Sequence, residues 1–68
     1  MDHLIPAAES LIRSLCHDKD DWEYAGSEEI PGDPWGAERI LIFNCKDYVV
    51  CYVGFRGERP LYVLQRIE

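Results

Sequence analysis

The sequence predicts an α+β domain: an N-terminal amphipathic helix packed on one face of a three- to four-stranded antiparallel β-meander. Three observations predict it. Leu4, Ala8, Leu11 and Leu15 recur at helical spacing near the start. The second half holds three runs rich in β-branched and aromatic residues, "ERILIFNC", "DYVVCYVGF" and "LYVLQRI". Short polar stretches separate these runs, as hairpins require. At 68 residues the chain is one small globular domain, divided as a helix at about 4–17, an acidic loop region at 18–37 and the β-meander at 38–68.

Taking the elements in order, Ile5, Ile12 and Cys16 widen the apolar stripe of the helix, while Glu9, Ser10, Arg13, Ser14 and His17 fall largely on its other side. Pro6 fits only a first turn, so the helix starts close to it. Asp18 and the acids after it oppose the negative end of the helix dipole, which places the stop near His17. A short edge strand is expected around Trp22 to Tyr24. "SEEIPGDPWG", with two prolines and two glycines, reads as a loop without regular structure, and Trp35 at its end as an anchor onto the domain. Hairpin turns are expected at "NCKD" and around Gly57, with Pro60 at the first position of the last strand.

The strand from Asp47 to Phe55 raises the central problem. Val49, Cys51, Val53 and Phe55 point one way, and Tyr48, Val50 and Tyr52 the other, so the strand is apolar on both faces. One helix can cover only one of them. An even loop at "NCKD" would set Ile40 and Ile42 beside Val49, Cys51 and Val53, as a bed for Leu4, Leu11 and Leu15. Leu41 and Phe43 would then join Tyr48, Val50 and Tyr52 on the far side. Three covers for that side are possible. The loop with Ile30, Pro31, Pro34 and Trp35 can fold back, a second copy can pack there, or a different protein can dock with Tyr48 and Tyr52 as anchors.

Charge is the second clue. The formal net charge is −6. Residues 1–33 carry nine acids against two bases, a balance of −7, whereas residues 34–68 stand at +1. Such a chain lacks the basic footprint of direct nucleic-acid binding but suits a protein partner with a basic surface. The plain alternative is a solvated acidic loop that keeps a small protein soluble. The longest apolar runs fall far short of the ~20 residues of a membrane helix. "MDHLIPAAES" also lacks the basic and apolar regions of a signal peptide, so the expected location is cytoplasmic.

Catalytic and metal signatures are weak. Cys16, His17 and Asp18 are consecutive, and consecutive helical residues diverge by ~100°, so they cannot line up as nucleophile, base and orienter. His3 is the only other histidine. Cys16, Cys45 and Cys51 include no zinc-knuckle pair and, being odd in number, no complete disulfide framework. Cys51, amid valines, reads as a buried hydrophobe. "DKDDWEYAGSEE" places Asp18, Asp20 and Glu29 at calcium-loop positions 1, 3 and 12, but Trp22 and Glu23 occupy positions that require a ligand and a glycine. No phosphate-binding or dinucleotide fingerprint occurs. No metal, cofactor or catalytic residue is therefore expected.

In size, acidity and helix-plus-sheet build, the chain resembles the small inhibitor proteins encoded by phages and other mobile elements, anti-CRISPR proteins among them. The resemblance rests on general character and transfers no residue. It implies an inhibitor of a larger basic or nucleic-acid-binding partner, working in the host cytoplasm. The residues expected to meet that partner are Asp20, Asp21, Glu23, Glu28 and Glu29 for charge, with Tyr48 and Tyr52 as anchors. A homodimeric accessory or structural subunit is the alternative, and a small enzyme a third.

Overall fold

The computed structural model describes residues 3–15, 22–45 and 49–67. One helix, α1 (Ile5–Leu15), precedes four strands, β1 (Glu23–Glu29), β2 (Arg39–Cys45), β3 (Val49–Arg56) and β4 (Arg59–Ile67). The strands form one antiparallel sheet in the order β1-β2-β3-β4. This is the expected α+β meander with the upper number of strands. Pro6 stands in the first turn of α1, where Ala8 N–H already donates to Leu4 O at 2.9 Å. Glu9 and Arg13 lie one turn apart on the helix surface, 3.7 Å from each other.

The core lies between α1 and one sheet face. Leu4, Ala8 and Ile12 of the helix segment meet Leu41 and Phe43 of β2 and Cys51, Val53 and Phe55 of β3. Ile5, Leu11, Trp22 and Val63 pack around that cluster half-buried. β3 is central, paired on both sides, which suits the longest apolar run of the chain.

The expected register is overturned. Cys45 pairs with Val49, leaving three residues between them, so the connection is odd. Leu41 faces Val53 and Phe43 faces Cys51, whereas Ile42 faces Tyr52 and Ile40 faces Gly54. Leu41 and Phe43 therefore lie under the helix, and Ile40 and Ile42 are on the far side. One extra residue in the connection exchanges the faces of β2 relative to β3, because side chains alternate with a period of two. The helix stripe is corrected as well. Its deepest residues are Leu4, Ala8 and Ile12, while Leu15 is 60% exposed. At about 100° per residue Leu15 shares the azimuth of 4, 8 and 12, so its exposure follows from its place as the last residue of α1 and not from the turn of the helix.

The region expected to be an acidic loop from 18 to 37 is also corrected. Ser27, Glu28 and Glu29 belong to β1, a seven-residue outer strand rather than a short one around Trp22 to Tyr24. Only Gly26 in it is even partly buried. A bulge between Tyr24 and Gly26 inserts Ala25, with Gly26 at a φ of 141°. The pairing continues past the strand through Ile30 N–H to Glu38 O at 3.0 Å. Pro60 is the second residue of β4, an outer strand, which tolerates the missing donor.

Candidate functional site

Among the described residues, three cross-strand rows line the helix-free face. One runs Glu23, Asn44, Val50, Arg66, and the next runs Gly26, Ile42, Tyr52, Leu64. The third runs Glu28, Ile40, Gly54, Tyr62. The face is thus apolar along β3 and at Ile40 and Ile42 of β2, polar at Asn44, acidic at Glu23 and Glu28 of β1 and basic at Arg66 on β4. Ile40, Ile42 and Tyr52 are half-buried by their neighbours, and Leu64 is 47% exposed. No second helix lies over them among the described residues.

The β1–β2 loop covers one end of this face. Asp33 organises it, its Oδ2 accepting from Trp35 N–H at 3.1 Å and Ala37 N–H at 2.9 Å. The other carboxylate oxygen accepts a 3.3 Å hydrogen bond from the Tyr62 hydroxyl. Trp35 stands edge-on to the Tyr62 ring at 5.6 Å yet remains 67% exposed, so its anchoring is lateral and its outer surface is free. The Tyr62 ring lies flat on Gly54, where an added Cβ would come within 2.3 Å of Tyr62 Cζ. Burial pushes the Tyr62 hydroxyl above its ordinary pKa of 10.0, and the charge and hydrogen bond of Asp33 push it further. Beside this group a shallow apolar depression of about 280 Å³ opens between Ile30, Ile40, Tyr52, Tyr62 and Leu64. Of the three covers that the sequence allowed, the loop takes the Tyr62 end and leaves Ile42, Tyr52 and Leu64 open.

The residues expected to bind a partner are brought together in part. Glu23 and Glu28 border the helix-free face, and Tyr52 stands near its centre. Glu29 pairs with Arg39 in the ladder and alternates to the helix side. All three glutamates are exposed. Asp20, Asp21 and Tyr48 lie outside the described residues. Sequence reasoning named Trp35 as a possible cover of this face but missed Asp33, Tyr62, Leu64 and Arg66 as members of it. In "LYVLQRI" both alternating sets contain apolar residues, so alternation gave no reason to prefer the set with Tyr62 and Leu64.

A second concavity, an open cleft of about 760 Å³, lies at the end of the sheet between His3, the β1–β2 loop and the β3–β4 turn. Several of its charged groups are engaged with one another. His3 Nε2 and Glu58 Oε1 are 2.9 Å apart, and Arg56 Nε and Glu38 Oε1 are 3.8 Å apart. Arg56 Nη1 also donates to Gly36 O at 3.3 Å, and Arg39 is engaged as well. Cys51 is fully buried in the core and Cys45 half-buried, both as free thiols. Among the described residues no three His, Cys, Asp or Glu side chains gather as a metal site. No helix among them is long and apolar enough to cross a membrane. Compared with known protein families, curated proteins and solved structures, the chain matches none.

Proposed function

We propose that this chain is a non-enzymatic binding protein that inhibits a larger basic partner by occupying its surface. The observation that carries the proposal is the helix-free face: an apolar centre around Ile42, Tyr52 and Leu64 beside the glutamates of β1. Apolar area with an aromatic at its centre supplies affinity, and bordering carboxylates steer a basic partner into register. Two carboxylates along β1, Glu23 and Glu28, carry the sign of charge that a nucleic-acid backbone presents, which fits a nucleic-acid-binding target of the kind that phage-encoded inhibitors, anti-CRISPR proteins included, occupy.

The test is capture of partners from a lysate of the source cells, followed by binding kinetics on the protein captured. Tyr52→Ala is expected to speed dissociation, with a loss of ~1–3 kcal/mol. Glu23→Gln with Glu28→Gln is expected to slow association, most strongly at low salt. Circular dichroism establishes that each variant is folded. A folded Tyr52→Glu protein that captures the same partner at unchanged rates would overturn the proposal.

A further inference from the structure

The helix-free face is complementary to itself, and we infer that it is occupied, when no target is bound, by the same face of a second copy of this chain. The inference rests on the reading of this face as a docking surface and names its first occupant. Its acids lie on β1 and its base, Arg66, lies on β4, with Glu23 and Arg66 at opposite ends of one row. Among the described residues none forms an ion pair with Glu23, Glu28 or Arg66.

Two sheets can meet face to face about a two-fold axis along the strands or about one across them. An axis across the strands stacks β1 on β1 and sets glutamates against glutamates. An axis along the strands stacks β1 on β4, and charge selects this arrangement. Each row then meets itself reversed. Glu23 lies over the partner's Arg66, and the symmetry repeats that pair. Ile42 lies over the partner's Tyr52, and Gly26, which has no side chain, lies opposite the partner's Leu64. The inclination of strands in aligned sheet packing, about −30°, leaves Ile42 over Tyr52 near the axis and offsets Glu23 from Arg66 on the outer strands by about 4 Å, within reach of two long side chains.

Four strands about 4.8 Å apart and about 20 Å long offer roughly 400 Å² in projection, part of it taken by the β1–β2 loop, so two copies bury on the order of 600–800 Å². That falls below the roughly 1,000 Å² of a stable specific interface, so the dimer is a weak, transient one. A basic target competes by presenting its own cation where the second copy presents Arg66. The dimer is thus the resting form of the same surface.

Sedimentation of the full chain across about 1 µM to 1 mM tests this. A monomer–dimer equilibrium is expected. Glu23→Arg alone and Arg66→Glu alone each place like charges opposite one another and should weaken dimerisation about tenfold or more. Mixing the two variants restores both pairs across one heterodimer, which should form as readily as the wild-type dimer. A folded wild-type chain that remains monomeric near 1 mM overturns the inference. So does a dimer indifferent to both reversals, which would be formed elsewhere on the molecule. A monomeric wild type whose Tyr52→Glu variant still loses a basic target overturns the second copy alone. A dimer that behaves as stated, with target capture indifferent to Tyr52→Glu, overturns the target reading alone.

Discussion

The two faces of this sheet are made from alternate residues of the same strands, yet they are finished differently. On one, Leu41, Phe43, Cys51, Val53 and Phe55 are fully buried under a helix that contributes Leu4, Ala8 and Ile12. On the other, Val50 is buried, Ile40, Ile42, Tyr52 and Tyr62 are half-buried, and Leu64 is more open still. The side chains differ accordingly. The covered face uses aliphatic residues, phenylalanine and a thiol, which need no water. The open face includes tyrosines, whose rings give contact area while their hydroxyls accept solvent. In a chain this small, one helix supplies enough material to complete one core, and the surplus apolar area becomes surface. The buried core and the more open apolar surface therefore lie on opposite sides of one sheet, and substitutions on the two sides should be separable.

The sharpest separation comes from paired aromatic deletions. Phe43→Ala empties a fully buried site beneath α1 and is expected to cost about 3–5 kcal/mol, enough to threaten folding of a small domain. Tyr52→Ala, on the far side of the neighbouring strand, should cost the monomer about 1 kcal/mol or less. Urea unfolding followed by circular dichroism at low micromolar concentration measures both. Equal losses would mean that the open face is as much a core as the covered one.

A smaller effect tests how the open face is organised. Gly54→Ala places a methyl against the Tyr62 ring, and that ring is also held by Asp33 and Trp35, so it cannot yield freely. The expected loss is about 1–3 kcal/mol. In a Tyr62→Ala background the same substitution should be close to neutral or stabilising, and the double-mutant cycle reads the difference. Additive losses would show that the ring does not rest on Gly54.

The smallest expected effect is a dependence on pH. Tyr62 has its pKa raised in the fold above 10.0, so the folded state holds its proton more tightly than the unfolded chain. The contribution is fully present below about pH 10 and is lost as pH rises through the folded value, because the phenolate then faces the Asp33 carboxylate. Stability should fall more steeply above pH 10 in wild type than in Tyr62→Phe. Parallel curves would remove Tyr62 from the account.

The helix and the three later strands are legible because each carries its own periodicity: 4, 8, 11 and 15 in the first, alternation in the others. Cys51 could be read as a core residue from its valine neighbours. β1 was hard to read because an outer strand is held by backbone hydrogen bonds to one neighbour, and its glutamates, exposed, leave no apolar alternation to detect. The glycines and prolines that follow it made the whole stretch look like a loop. Trp35 announces itself as an anchor, but its partner Tyr62 is 27 positions away, and nothing local connects them.

By itself the sequence determined that there is one helix, that antiparallel strands follow it, that the central strand has two apolar sides and that the acids gather in the first half. Those properties are local, set by which side chains recur at a period of 3.6 or 2 and by the charges along the chain. Tertiary structure alone decided which apolar side is covered. The Cys45–Val49 pairing makes the hairpin connection odd, which turns Leu41 and Phe43 toward the helix and Ile40 and Ile42 away from it. It also decided that Glu23 and Arg66, far apart in the chain, close one row across the sheet. Register is a relation between strands, and a shift of one residue reverses every side chain without altering the periodicity that either strand displays.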